Sequence, residues 1–377
     1  MTILFASTFG LFLAYANGAN DNFKGVATLY GSRTATYKAA LTWATIATFA
    51  GSVAAVFLAQ GLVATFSGRG LIPDETLALK SFALAVMVGS ALTVMLATKL
   101  GFPVSTTHAL TGALVGAGWL ASNGQVNMEK LGASFFGPLL ASPVLAIIAT
   151  LVIYPLFRMV KTKIGVSREV CVCVGTQVVA QYPQGTSPTI AIAQFQSSAP
   201  SMSVGTMPTC RERYAGQMVG MEVGKTVDYL HFLSAGVVSF ARGLNDTPKI
   251  AALLLTGAVL PPTLIFIAVA LVMAVGGWLN ARKVAETMAN GVTVMNPGQG
   301  LVANLITGLI VIFASKFGVP VSTTHVSCGA IFGIGVVTKQ GNWRTIASIL
   351  VAWITTLPIT AVISVGSFLI LRELLPS

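Results

Sequence analysis

Charge is scarce in this sequence. Asp, Glu, Lys and Arg together make up 9% of its 377 residues, against about 25% in an average soluble domain. So few ionised side chains exclude a water-soluble globular chain. Histidine and cysteine are also rare, at three and four residues, and their spacing does not match the usual zinc sets, so Cys171-x-Cys173 with Cys210 is not read as a metal centre. With Cys328 included, the cysteines show no framework of paired spacings, and a bundle of this size needs no disulfide scaffold. Acids are half as common as bases, 11 against 22, which gives a net charge of +11. The bases sit mainly between apolar runs, as juxtamembrane charge does, so no nucleic-acid partner is expected.

What is present is length without charge. Apolar runs occupy Met1–Asn20, Ala39–Gly68, Ser81–Thr98, Leu100–Met128, Leu131–Phe157, Ile250–Ala281, Thr287–Ser315, Phe317–Thr338 and Thr345–Leu371, with a shorter run at Tyr229–Ala241. About 20 apolar residues cross a bilayer as a helix that satisfies its own backbone hydrogen bonds. The first run lacks a basic flank and leads straight into a polar motif, so it reads as mature helix and not as a signal peptide.

The chain repeats itself. Ala97–His108, ATKLGFPVSTTH, aligns without gaps with Ala314–His325, ASKFGVPVSTTH, and nine of twelve positions are identical. Upstream in each half, YANGANDNFKGVA from Tyr15 matches FARGLNDTPKIAA from Phe240. Two transmembrane repeats, 1–159 and 226–377, therefore flank a linker at 160–225. Within the linker, EVCVCVGTQVVAQY alternates like a half-buried strand and QYPQGTSP reads as a turn, so a small β-rich cap is expected.

Five apolar elements per half is an odd number, so the second repeat enters from the opposite side. The fold expected is an all-α polytopic bundle of two inverted-topology repeats with broken or re-entrant helices. With the termini outside, the segments assigned inside carry fifteen of the 22 Lys and Arg residues, which puts the linker in the cytoplasm and the chain in the plasma (inner) membrane.

Each PVSTTH copy opens a helix too short to span comfortably. Proline suits the first turn, Ser and Thr are favoured caps, and a helix start offers unpaired N–H groups at the positive end of the dipole. With three added hydroxyls, such a start suits a tetrahedral oxyanion. Ser105, Thr106, Thr107, Ser322, Thr323 and Thr324 are the anion candidates, while His108 and His325 read as support for the helix end. Gly-x-Asn-Asp offers the opposite chemistry. Asn20, Asp21, Asn245 and Asp246 bring hard oxygens, and Gly18 and Gly243 are expected to let their helices unwind around a cation such as Na⁺.

These four motif copies resemble the duplicated signature of the inorganic phosphate transporter (PiT) family across nearly the whole chain outside the linker. The resemblance implies a secondary transporter, not an enzyme, that imports phosphate with Na⁺ by alternating access. A proton-coupled phosphate or sulfate permease is the alternative, and a passive anion channel a more distant one. It further implies phosphate contacts at the six hydroxyl positions, sodium contacts at the two Asn-Asp pairs, no cofactor beyond the coupling Na⁺ or H⁺, the bilayer as surroundings, and assembly open to a homodimer. This chain departs from the commoner family pattern after each Asp, where Lys24 and Lys249 bring positive charge to the site as substrate-binding or charge-balancing groups. An intramembrane hydrolase using Ser105 or Ser322 is disfavoured, because nothing supplies a base, an orienter and an oxyanion hole together.

Overall fold

The computed structural model describes residues 2–163, 165, 167–176, 178–181, 194–197, 199–214, 218–256 and 260–375. Ten helices of sixteen residues or more appear among them. The first half contains α1 (Thr2–Asp21), α2 (Tyr37–Leu58), α3 (Lys80–Leu100), α4 (Thr106–Ala121) and α5 (Gly137–Lys163). The second contains α6 (Val223–Leu255), α7 (Pro262–Asn280), α8 (Pro297–Lys316), α9 (Thr323–Thr338) and α10 (Trp343–Leu374). The ten apolar runs of the sequence thus correspond to ten helices. Among the described residues six stretches are long and apolar enough to cross a membrane: α2, α3, α7, α8, α10 and the continuous segment that contains α5. The other four, α1, α4, α6 and α9, carry the repeated polar motifs.

The segments GFPVS and GVPVS each stop one helix and start the next. Gly101 and Gly318 adopt left-handed φ values of 79° and 69°, and the following N–H groups of Phe102 and Val319 reach back to Ala97 and Ala314 at 2.9 Å. That is a Schellman closure, which takes up carbonyls left unpaired at the helix end. Pro103 and Pro320 disfavour helix in the residue before them. Ser105 and Ser322 then cap α4 and α9, their side chains accepting the backbone N–H of His108 and His325 at 3.1 and 3.2 Å.

Helix packing inside a bilayer gains little from the hydrophobic effect, and close backbone approach takes its place. A Cβ on Gly18 of α1 would lie 1.9 Å from the Met273 carbonyl oxygen of α7, and one on Gly243 of α6 would lie 2.1 Å from the Thr48 carbonyl oxygen of α2. Each motif helix is therefore seamed to the second helix of the other half. The two larger hydrophobic cores draw on both halves, the first through Leu13, Phe82, Leu110, Ile250, Phe266 and Phe368, the second through Phe23, Leu41, Val292 and Trp353. On α5 and α10 the side chains of Leu140, Val152, Ile354 and Val362 are exposed, an apolar face suited to lipid.

The close approaches at Gly18 and Gly243 correct one expectation, since α1 stays helical through Gly18 to Asp21. α6 runs unbroken through Gly243 and Pro248, because the glycine there admits a neighbouring backbone and does not unwind its own. Only the first half is broken at its motif. α1 ends at Asp21, a turn covers Asn22 and Phe23, and a 3₁₀ turn at Lys24–Val26 leads into a short helix, Ala27–Gly31.

Residues Pro155–Leu230 form a separate compact unit. Its three-stranded antiparallel sheet has the order β4 (Ser201–Thr206), β1 (Val170–Gly175), β5 (Met218–Glu222), and β2 (Val178–Gln181) pairs with β3 (Gln194–Ser197). The alternation along β1 turns Cys171 and Cys173 inward. Cys173 is joined by a disulfide to Cys210 on the short helix Met207–Arg213, a pairing that the cysteine spacing did not reveal. The turn expected at QYPQGTSP lies, after Gln181, outside the described residues.

Candidate functional site

The two hydroxyl-capped helix starts meet the two Asn-Asp pairs in the interior, and all the side chains involved are buried. Lys24 lies at the centre. Its Nζ donates to Asn20 Oδ1 at 2.7 Å, to the Val104 carbonyl at 2.6 Å and to Thr324 Oγ1 at 2.7 Å, and it pairs with Asp21 Oδ1. Lys249 mirrors it across the halves. Its Nζ donates to Thr107 Oγ1 at 2.7 Å and to the Val321 carbonyl at 2.9 Å, with Asp246 Oδ1 at 3.5 Å. Each lysine thus reaches from its own half to the hydroxyl of the other. The threonines close the same cross, Thr107 donating to the Val321 carbonyl at 3.3 Å and Thr324 to the Val104 carbonyl at 3.0 Å.

The asparagines hold the helix starts in place. Asn20 Nδ2 donates to Thr98 Oγ1 and to the Phe102 carbonyl, and Asn20 Oδ1 accepts the Val104 N–H. In the second half Asn245 Nδ2 donates to the Val321 carbonyl and to Asp246 Oδ1, and Asn245 Oδ1 accepts from Ser315.

Two residues absent from the sequence reading complete the cluster. Asn17 Nδ2 lies 2.9 Å from Asp21 Oδ2, 3.0 Å from Thr106 Oγ1 and 3.3 Å from Asp246 Oδ2, so it bridges the two carboxylates. Arg242, which is 1% exposed, places Nε 3.7 Å from Asp246 Oδ2 and donates to Asn17, Asn22 and Thr48. A charged residue one position beyond an apolar run and inside a repeated motif was the signal available for Arg242. Its alignment with Asn17 was the signal for Asn17.

The halves differ at this point. Thr106 Oγ1 donates to Asp21 Oδ2 at 3.0 Å, whereas its counterpart Thr323 makes no side-chain hydrogen bond among the described residues. Ser105 and Ser322 use oxygen lone pairs as caps, which leaves each O–H able to donate. Three basic side chains, Lys24, Arg242 and Lys249, stand against two carboxylates, Asp21 and Asp246, so by formal charge the buried cluster has one surplus positive charge suited to an anion.

The imidazoles of His108 and His325 face one another with ring centroids 4.2 Å apart, and His325 stacks on Trp353 at 3.8 Å. Each capping serine meets the backbone N–H of its histidine and not the ring. Among the described residues no serine-imidazole pair of a hydrolase forms. A cavity of about 210 Å³ between α3 and α10 is lined by Leu96, Phe102, Val351 and Thr355 and meets the cluster at Phe102 and Val104. It is too apolar to be the anion site.

The sequence profile of the Phosphate transporter family matches residues 17–364. A Pyrococcus horikoshii protein named as a phosphate permease is 27% identical over 396 residues, covering 96% of both chains. A Haemophilus influenzae phosphate permease is 28% identical over 419 residues, covering 98% of this chain and 96% of its own. A Rhizobium meliloti protein described as a low-affinity inorganic phosphate transporter is 29% identical over 372 residues, covering 94% and 92%. A solved structure described as the sodium-dependent phosphate transporter superposes with a TM-score of 0.75 at 20% identity, over 99% of this chain and all of that one. That likeness establishes the fold.

Proposed function

The chain belongs to the phosphate transporter family, a family of multi-pass membrane transporters and not of enzymes, and from that membership we propose that it imports inorganic phosphate by ion-coupled alternating access. One observation carries the reading: two hydroxyl-capped helix starts, one from each half, converge on a buried cluster with a surplus positive charge. Helix starts and hydroxyls donate hydrogen bonds to phosphate oxygens, and Asp21 and Asp246 accept from the protons that phosphate still carries near neutral pH. Sulfate lacks those protons and meets the carboxylates as like charge. The repeats are proposed to be inverted, with the termini outside and the linker in the cytoplasm of a plasma-membrane protein.

The coupling ion is proposed to be Na⁺ or H⁺. For sodium speak the oxygens of Asn20, Asp21, Asn245 and Asp246 and the description of the solved relative. For the proton speaks one feature of this site, that an ammonium group already occupies each set. A second cation about 4 Å from an ammonium is repelled by roughly 4 kcal/mol at an effective dielectric of about 20.

Uptake of labelled phosphate into proteoliposomes tests the reading, driven in turn by a sodium gradient and a proton gradient, with excess unlabelled sulfate as competitor. Accumulation against a gradient, with sulfate a weak competitor, is expected. Asp21→Asn and Asp246→Asn should abolish accumulation more than they weaken phosphate binding. Uptake indifferent to both gradients would indicate a passive channel, and equal competition by sulfate would move the substrate to sulfate.

A further inference from the structure

Lys24 sits inside an arrangement normally described for a metal cation. Four oxygens of four kinds surround its Nζ: the Asn20 amide oxygen, the Asp21 carboxylate, the Val104 carbonyl and the Thr324 hydroxyl. An ammonium has only three N–H donors, so four oxygens exceed what it needs. Hard oxygens of mixed type, drawn from a helix end and an unwound segment, are the shell that sodium sites in discontinuous membrane helices use. Asn20 and Asp21 come from the end of α1, Val104 from the link between α3 and α4, and Thr324 from the start of α9. Lys24 reaches into this shell only because the chain breaks after Asp21 and its side chain folds back from the 3₁₀ turn.

Lys249 holds the corresponding place in the second half more loosely, with Thr107, the Val321 carbonyl and, farther off, Asp246, which Arg242 also approaches. The ring of Phe66 covers Lys249, its centroid 5.6 Å from Nζ, which adds a cation-π contact.

We infer that Lys24 and Lys249 are tethered cations that occupy the two repeat-related cation sites, so that phosphate transport by this chain requires no sodium at them. The inference rests on the phosphate-transport reading and names which ion these sites have dispensed with. It explains why the carboxylates tolerate full burial, since each is balanced within the chain, and why the surplus positive charge remains available to the anion.

The experiment uses the full-length chain in two assays. In proteoliposomes under an imposed proton gradient, wild-type phosphate uptake is expected to be equal in sodium, potassium and choline media. Lys24→Ala empties the tail's volume while leaving four oxygens in place. Its uptake should fall about tenfold in choline and recover selectively in sodium. Lys24→Met fills the same space without charge and should fall without sodium recovery, and Lys24→Arg keeps the charge and should stay indifferent to sodium. In detergent, equilibrium binding of labelled sodium is measured without phosphate. The wild type should bind none at the cluster, and Lys24→Ala should bind about one ion per chain, which also shows that the variant is folded. Sodium bound by the wild type and lost in Asp21→Asn, or wild-type uptake that depends on sodium, overturns the inference. Absence of phosphate uptake by the wild type in every medium, with the sodium-binding results as expected, overturns the phosphate reading alone.

Discussion

Arg242 Nη2 donates to Asn17 Oδ1 at 2.6 Å, and the two residues hold the same place in the two repeats, four positions before Asp246 and Asp21. The pseudo-symmetric positions thus meet each other across the molecule with different side chains. The contact makes the two halves unequal, since Arg242 approaches Asp246 while Asn17 and Thr106 serve Asp21.

Arg242 is therefore expected to be structural at high cost. Arg242→Met leaves Asp246 short of a cation and Asn17, Asn22 and Thr48 short of a donor, and breaking a buried pair by removing one partner costs ~3–5 kcal/mol. The melting temperature in detergent, followed by tryptophan fluorescence, should drop clearly. Arg242→Lys should recover only part of it, because an ammonium cannot reproduce the guanidinium fork. A wild-type melting temperature for Arg242→Met would refute the role.

Thr107→Val and Thr324→Val keep shape and remove a hydroxyl that a lysine of the other half contacts. Each should weaken phosphate binding by ~1–3 kcal/mol, read by titration calorimetry. The two variants should resemble each other, since the crossed contacts do. Unchanged affinity in either folded variant would mean that the two helix starts do not share one anion.

Orientation can be read from both faces. Trypsin added to intact spheroplasts should leave the linker uncut at its exposed Arg168, Arg211 and Arg213, and the same protease on inverted vesicles should cut there. An impermeant maleimide outside intact cells should label Asp74→Cys and leave the wild type unmarked, because its two free cysteines, Cys171 and Cys328, are buried. Cleavage from outside would reverse the orientation.

The disulfide offers a test confined to the linker unit. Peptide mapping of the oxidised, unreduced chain should recover Cys173 linked to Cys210. Burial, with the Glu222 carboxylate, pushes the Cys171 thiol above its usual range, so alkylation of Cys171 at pH 8 should be slow until the unit unfolds. Closing a loop of 37 residues is worth ~4 kcal/mol by chain entropy, so a reductant should make the linker markedly more sensitive to protease. A Cys171–Cys173 link in the map would show that the pairing is wrong.

The ten apolar runs and the four motif copies were legible because both are local: runs of side chains, and hydroxyls fixed in spacing from a proline. The stop at Gly101 and restart at Ser105 follow from adjacent residues alone. The destinations of Lys24 and Lys249 were not legible, since a contact between Lys24 and Thr324 spans 300 positions and depends on how the halves interlock. Gly243 was misread for a related reason. A glycine in a polar motif looks the same whether it frees its own backbone or admits a neighbour's, and only the carbonyl of Thr48 decides.

The glycine contacts have a mechanical meaning. Where Gly18 lies on Met273 and Gly243 on Thr48, two backbones touch with no side chain between them to act as a bearing. Surfaces in such contact do not slide without collision, so α1 with α7 and α6 with α2 are expected to turn as rigid struts. The short helices α4 and α9 carry the same kind of contact against α10 and α5, where a Cβ on Gly112 would lie 2.5 Å from the Leu357 carbonyl oxygen and one on Gly329 2.8 Å from that of Pro143. Each is therefore expected to travel with that partner, while the hydrogen bonds from its hydroxyl-bearing tip to the struts form a joint that an arriving anion can exchange bond for bond.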